Sequence, residues 1–296
     1  MSMPSGIGAI DLMMGLPEGS KKQWYAFLRK GFMDAESGEM EFPVQYMFKD
    51  VPKDIDPEAD PVAVVLGEMD HFGIEKAMLG VGSAARESGT RSHTVRALKE
   101  HPDRFFASYE VEPNRGMEGV RDLVRAYEEL GIKAATAVPA GMMPQVPIND
   151  KKLFPIYAKC IELDIPICCT TGVPGPRVPM ACQKTELIDE VCWFFPELRF
   201  VMRHGAEPWD ALAVKLMLKW PNLYYSTSAF SPKYYPKTII DFANTRGADK
   251  VMYAGYFPMG LSLERIFKDM QGVPFRDHVW PKFLRENAQR VFKLDG

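Results

Sequence analysis

Apolar runs of strand length alternate with helical patterns from one end of this chain to the other. The runs are Ala9–Met13, Lys76–Val81, Phe105–Val111, Lys133–Val138, Ile165–Cys169, Arg199–Arg203, Leu223–Thr227 and Lys250–Ala254. They are rich in Ile, Val, Phe and Tyr and mostly lack polar alternation, the pattern of parallel strands covered on both faces. Helical candidates lie between them. Asp60-Pro61 opens a helix through Met69, with proline at the first helical position. An amphipathic stretch from Met117 to Leu130 ends at Gly131, a natural left-handed stop. Phe154–Leu163, Glu186–Phe194, Pro208–Leu218 and Pro236–Phe242 continue the series. Eight strand–helix units in 296 residues predict one α/β domain over 1–296, a closed (β/α)8 barrel of the TIM type. An open doubly wound sheet would want a glycine-rich phosphate turn after the first strand, and Asp11-Leu12-Met13-Met14-Gly15 is not one.

Two segments stand outside the repeat. Residues 16–60 are a long insert after the first strand, carrying Trp24, Tyr25, Phe27, Phe32, Phe42, Tyr46 and Phe48. Such an insert is either a lid over a pocket or an oligomer contact. Near the end, within 277–296, Pro281–Phe292 has an amphipathic helical pattern, expected to pack on the outside of the barrel. With 46% apolar residues the chain fills a sizeable core, which excludes disorder. A formal net charge of -3 argues against a nucleic-acid or membrane-surface binder. No apolar run reaches the roughly 18 residues that span a bilayer, and Met1–Gly8 carries no export signal. The five cysteines, between Cys160 and Cys192, fit no zinc-binding spacing and are expected to be reduced thiols of a cytoplasmic protein.

In a barrel, chemistry gathers where strands end. The first strand ends Ile10-Asp11-Leu12-Met13-Met14-Gly15, the fifth Ile167-Cys168-Cys169-Thr170-Thr171-Gly172. The sixth ends Met202-Arg203-His204-Gly205-Ala206-Glu207-Pro208-Trp209, the eighth Tyr253-Ala254-Gly255-Tyr256-Phe257-Pro258. With Met69-Asp70-His71-Phe72-Gly73-Ile74-Glu75-Lys76-Ala77, Arg104-Phe105-Phe106-Ala107, Leu153-Phe154-Pro155-Ile156-Tyr157 and Glu286-Asn287-Ala288-Gln289-Arg290-Val291-Phe292, this chain resembles the amidohydrolase superfamily. The resemblance is to the amidohydrolase-2 branch of aminocarboxymuconate-semialdehyde-type decarboxylases and related hydrolases, over nearly the whole length. It implies a divalent metal held by an HxH pair after strand one, a His after strand five and an Asp after strand eight, with a His after strand six completing the site. Those ligand positions fall here on Met13 with Gly15, on Thr170 and on Tyr256, and only His204 matches. A thioether, a glycine, a hydroxyl and a phenol do not replace imidazole and carboxylate ligands. No metal and no other cofactor is therefore expected. The other histidines, His71, His93, His101 and His278, have no ligand spacing to His204.

Each candidate residue has a chemical and a structural reading. His204 is a general acid or base, or an inherited hydrogen-bonding residue of the barrel mouth. Tyr256 donates to a substrate oxygen or fills the vacated metal space. By a period of two, Asp11 shares the inner side with Met13 and would pair with His204 or a buried cation. Thr170 and Thr171 would bind a carbonyl or carboxylate, or satisfy loop backbone groups. Glu207 is an acid–base partner or a favourable charge at the helix opening at Pro208, beside Trp209. Arg177, in the stiff loop Pro174-Gly175-Pro176-Arg177, clamps an anion or is solvated surface. Cys168 shares the parity of Thr170 and is a nucleophile or a small core residue. The expected activity is that of a metal-independent hydrolase of lactones, esters or thioesters, or of a C–C lyase, on a small carboxylated or cyclic substrate. The alternative is a catalytically silent barrel that binds a small ligand or a partner subunit. A homodimer through the insert or outer helices fits either.

Overall fold

The computed structural model describes residues 3–17, 26–39, 56, 58–82 and 91–294. Eight strands form one sheet in sequence order, each parallel to its neighbour. They are β1 (Ala9–Met14), β2 (Ile74–Gly82), β3 (Phe105–Glu110), β4 (Ala134–Ala137), β5 (Ile167–Thr170), β6 (Phe200–Arg203), β7 (Leu223–Ser226) and β8 (Val251–Met252). Helices run between them: α1 (Pro61–Phe72), α2 (Arg91–Glu100), α3 (Met117–Leu130), α4 (Phe154–Glu162), α5 (Ile188–Phe194), α6 (Asp210–Lys219) and α7 (Lys237–Ala243). After β8 come α8 (Leu263–Met270), a π-turn (Lys282–Glu286) and α9 (Asn287–Phe292). The (β/α)8 barrel expected from the alternation is the fold.

Local chemistry sets the helix ends where it was expected to. Asp60 caps α1, its side chain accepting from the Val62 amide with Pro61 next in line. Gly131 ends α3 in the left-handed conformation at φ 59°. Strands β4 to β8 are buried at every position, which is why they read as unbroken apolar runs.

Two apolar layers divide the strand residues. Ile10, Leu12, Met78, Phe106, Cys168 and Val201 fill the barrel interior. Ala9, Met14, Leu79, Ala107, Cys169 and Met202 pack outward against the helices. This partition corrects the expected parity of β1: Leu12 points inward, so Asp11 does not. A register irregularity between Asp11 and Met14 then breaks the alternation.

Asp11 instead joins β1 to the end of β8. Its carboxylate accepts the Gly255 amide at 2.8 Å and the Met13 amide at 2.9 Å. Beyond it the Gly15 amide donates to the Phe257 carbonyl at 2.8 Å. The C-terminal segment is also placed differently from expectation. Phe292 of α9 packs into the interior cluster, its ring 6.1 Å from that of Phe106, so α9 plugs the barrel at the strand starts rather than lying outside. Asn287 fixes the plug by donating to the Ala248 and Val251 carbonyls at 2.7 and 2.9 Å.

Of the insert, Trp24, Tyr25, Phe42, Tyr46 and Phe48 lie outside the described residues. Its described part holds a 3-10 turn (Ala26–Gly31), whose Phe27 and Leu28 line the cavity at the strand ends. All five cysteines are buried free thiols. Among the described residues no helix is long and apolar enough to cross a membrane.

Candidate active site

The strand ends open onto a cavity of about 1460 Å³. Its wall is largely apolar, with Met13, Met14, Leu16, Leu79 and Tyr256 among its residues. The ends of β5 and β6 supply Thr170, Thr171, Arg203, His204 and Glu207, and Glu110, Thr136, Gln183, Lys233 and Arg265 add polar groups from other elements. An apolar pocket with a few convergent polar groups is the usual form of a small-molecule site.

β6 leaves the sheet through an unusual turn. His204, Gly205 and Ala206 follow one another with φ of 62°, 88° and 57°. Only glycine fits at 205, where a Cβ would stand 2.6 Å from the Phe230 ring. Left-handed backbone at a non-glycine residue costs energy and concentrates at functional sites. The turn places the His204 ring edge-on to Tyr256, 5.5 Å between centroids at 84°.

Ser228 holds that ring. Its hydroxyl oxygen accepts the His204 backbone N–H at 3.1 Å and lies 3.1 Å from Nδ1. Burial, and next the positive charge of Arg203, pull the His204 pKa down to about 3, against a hydrogen bond to the Ser228 backbone that favours the charged ring. At neutral pH His204 is thus an uncharged imidazole that offers an N–H rather than a ready base.

Arg203 went unremarked in the sequence. It is the last residue of β6, 8% exposed, and its guanidinium lines the cavity. Nη2 stands 2.7 Å from Met13 Sδ, and Nε is buried without a hydrogen-bond partner. Thr170 is its register partner on β5, and the Thr170 Oγ1 is likewise buried and unpartnered. The signal was present, since a charged residue closed a wholly apolar strand directly before the candidate histidine.

The remaining expected residues divide. Met13, Thr170, Thr171, Glu207 and Tyr256 line the cavity with His204, whereas Asp11, Arg177 and Trp209 are not part of its wall. Thr171 spends its hydroxyl on the Arg203 carbonyl at 3.1 Å. Burial, then Asp210, raise the Glu207 carboxyl above its ordinary range. Arg177 pairs with Asp34 and Glu36, each at 3.0 Å, so its charge is committed to two carboxylates. Trp209 stands at the cap of α6, its amide on the Ala206 carbonyl at 2.8 Å. Burial pushes Asp11 up to about 6, against the bonds from Gly255 and Met13 that favour its charge. Cys168 faces inward as its parity predicted, and burial raises its thiol to about 12, leaving it protonated at neutral pH.

The donor set does not fit a divalent metal. Among the described residues no three His, Cys, Asp or Glu side chains converge to hold an ion. At Gly15, a Cβ would meet Met259 Sδ at 2.6 Å, so the loop after β8 occupies the space of a second strand-one ligand. Met13 Sδ faces a guanidinium, and a fixed cation there opposes a second one.

Comparison with known proteins places these departures in context. The chain resembles, along 97% of its length and 98% of the other, an uncharacterised TIM-barrel protein from Bordetella bronchiseptica, at TM-score 0.71 and 22% identity. A 5-carboxyvanillate decarboxylase from Novosphingobium aromaticivorans, with bound manganese and 3-methoxy-4-hydroxy-5-nitrobenzoic acid, is similar at TM-score 0.67 and 18% identity, covering 98% of both chains. So is a 2,6-dihydroxybenzoate decarboxylase from Rhizobium, at TM-score 0.66 and 17% identity, covering 98% of this chain and 100% of that one. At these identities the likeness is one of fold. A search of curated protein sequences finds no significant match. The amidohydrolase family profile matches residues 37–294, nearly the whole barrel, and the chain belongs to that family.

Proposed function

We propose that this protein is a C–C lyase that acts on a small carboxylated substrate without a divalent metal. The observation that carries the reading is the donor set: no metal-holding group converges among the described residues, while an uncharged His204 N–H and the Glu207 carboxyl face one cavity. The fold likeness to decarboxylases of hydroxylated benzoates supports the substrate class. In this mechanism the apolar wall excludes water from the ring of the substrate. His204, held by Ser228 and uncharged, donates its free ring N–H to a substrate oxygen on which negative charge develops. Glu207, whose carboxyl burial biases toward the protonated form, delivers the proton to the carbon that loses carbon dioxide and regains it from water.

A binding protein without turnover is the second reading. One observation favours it: His204 is a very weak base, and Asp11 lies outside the cavity wall. The test is release of carbon dioxide from a panel of hydroxybenzoates, with lactones and thioesters alongside, in the presence of a strong chelator. Carbon dioxide release that survives chelation and falls in His204→Ala supports the lyase. Acid release from the lactones or thioesters instead would make it a hydrolase. Saturable binding with no product supports the silent barrel.

A further inference from the structure

Several other arginines among the described residues are paired with carboxylates. Arg104 pairs with Asp70 at 2.7 Å and Arg199 with Asp164 at 2.8 Å. Asp122 is shared between Arg115 and Arg125. Arg203 is more deeply buried than any of these arginines, yet no carboxylate lies within ion-pair distance of it among the described residues. A guanidinium stays charged at any physiological pH, and a buried unmatched charge is costly. Its one polar contact of hydrogen-bond length is a thioether, a weak acceptor.

The orphaned groups point to one place. Arg203 Nε and Thr170 Oγ1 are both buried, both without partners, and come from residues paired across adjacent parallel strands at the cavity. Parallel neighbours lie about 4.8 Å apart, a spacing that one planar carboxylate spans while taking hydrogen bonds from both sides. Met13 and Thr170, which flank the guanidinium, are two of the positions where the family resemblance would put metal ligands. We infer that Arg203 and Thr170 form a binding site for the substrate's carboxylate, so that a guanidinium built into β6 supplies a buried positive charge where β5 and β6 end. Arg177, the arginine that the sequence suggested for this task, is held by Asp34 and Glu36 instead.

This inference deepens the lyase proposal by naming the carboxylate's seat, but binding alone tests it. Titration calorimetry on the full chain would use benzoate as probe and methyl benzoate as its uncharged twin. The wild type binds benzoate at least about tenfold tighter than the ester, and Arg203→Met weakens benzoate by about 30-fold or more while leaving the ester unchanged. Arg203→Lys keeps a preference for benzoate, at lower affinity, because the charge remains but the fork is gone. Thr170→Val costs several-fold through one lost hydrogen bond. The ligand-free Arg203→Met protein melts above the wild type, because an unmatched charge has left the interior. Equal affinity of the wild type for acid and ester, no binding of benzoate, or full benzoate affinity in Arg203→Met overturns the site. Benzoate binding with no carbon dioxide release from any panel member leaves the site standing and removes the lyase proposal. Turnover in Arg203→Met at an unchanged KM does the reverse.

Discussion

Replacing Asp11 by Asn should make this protein more stable at neutral pH, although Asp11 is wholly buried and hydrogen-bonded at the β8–β1 seam. Burial raises its carboxyl from 3.8 to about 6, so the fold prefers the protonated form. Below about pH 4 the group is protonated in both states and has no effect. As pH rises from about 4 to 6 the unfolded chain ionises while the fold keeps the group protonated, so stability falls across that window and levels off above it. A rise of about 2 units at 1.36 kcal/mol each makes the full penalty about 3 kcal/mol at pH 7. Asn keeps Oδ1 for the Gly255 and Met13 amides and turns an N–H toward the Tyr253 hydroxyl, which stands beside the seam. Urea unfolding of both proteins at pH 7 and pH 4 measures the difference. The variant should gain up to about 3 kcal/mol at pH 7 and almost nothing at pH 4. An equal effect at both pH values, or a loss at pH 7, would refute the reasoning. Asp11→Ala, by contrast, strands two buried amides and should cost about 2–4 kcal/mol at either pH.

Other consequences are as direct. His204 carries the opposite linkage: its pKa is held near 3, so the unfolded chain takes up its proton first and the fold loses stability as pH falls from 6.5 toward 3. His204→Gln should remove that acid sensitivity in a pH series of melting curves. Gly172→Ala should destabilise by at least about 2 kcal/mol in urea titration. Its φ is +93° and the new Cβ would stand 2.7 Å from the Glu207 carbonyl oxygen. Phe292→Ala should cost about 3–5 kcal/mol by removing the plug from the barrel interior, read by the same titration.

The barrel was legible because its signals are local. A run such as Phe200–Arg203 is apolar whatever it packs against, and Gly131 ends a helix by its own backbone freedom. The site was only half legible. His204 and Thr170 are legible from strand-end position alone, but partnership is non-local: Ser228, which holds the His204 backbone and ring, is 24 residues away. Arg177 looked free in sequence because nothing near it in the chain announced Asp34, at a separation of 143 residues. Asp11 was placed on the inner side by a strict period of two, which the irregularity in β1 breaks. Arg203 draws no notice in the sequence because a strand-end arginine is ordinarily paired, and only the folded structure shows no ion pair to it among the described residues.

On this account the Arg203 guanidinium, rather than a divalent ion, supplies the positive charge that seats the substrate's carboxylate. Elemental analysis tests it most directly, on protein expressed in medium supplemented with manganese and zinc and purified without chelator. The metal content should fall far below one atom per chain and should not rise on soaking. Stoichiometric manganese or zinc, lost together with benzoate binding on chelation, would contradict it.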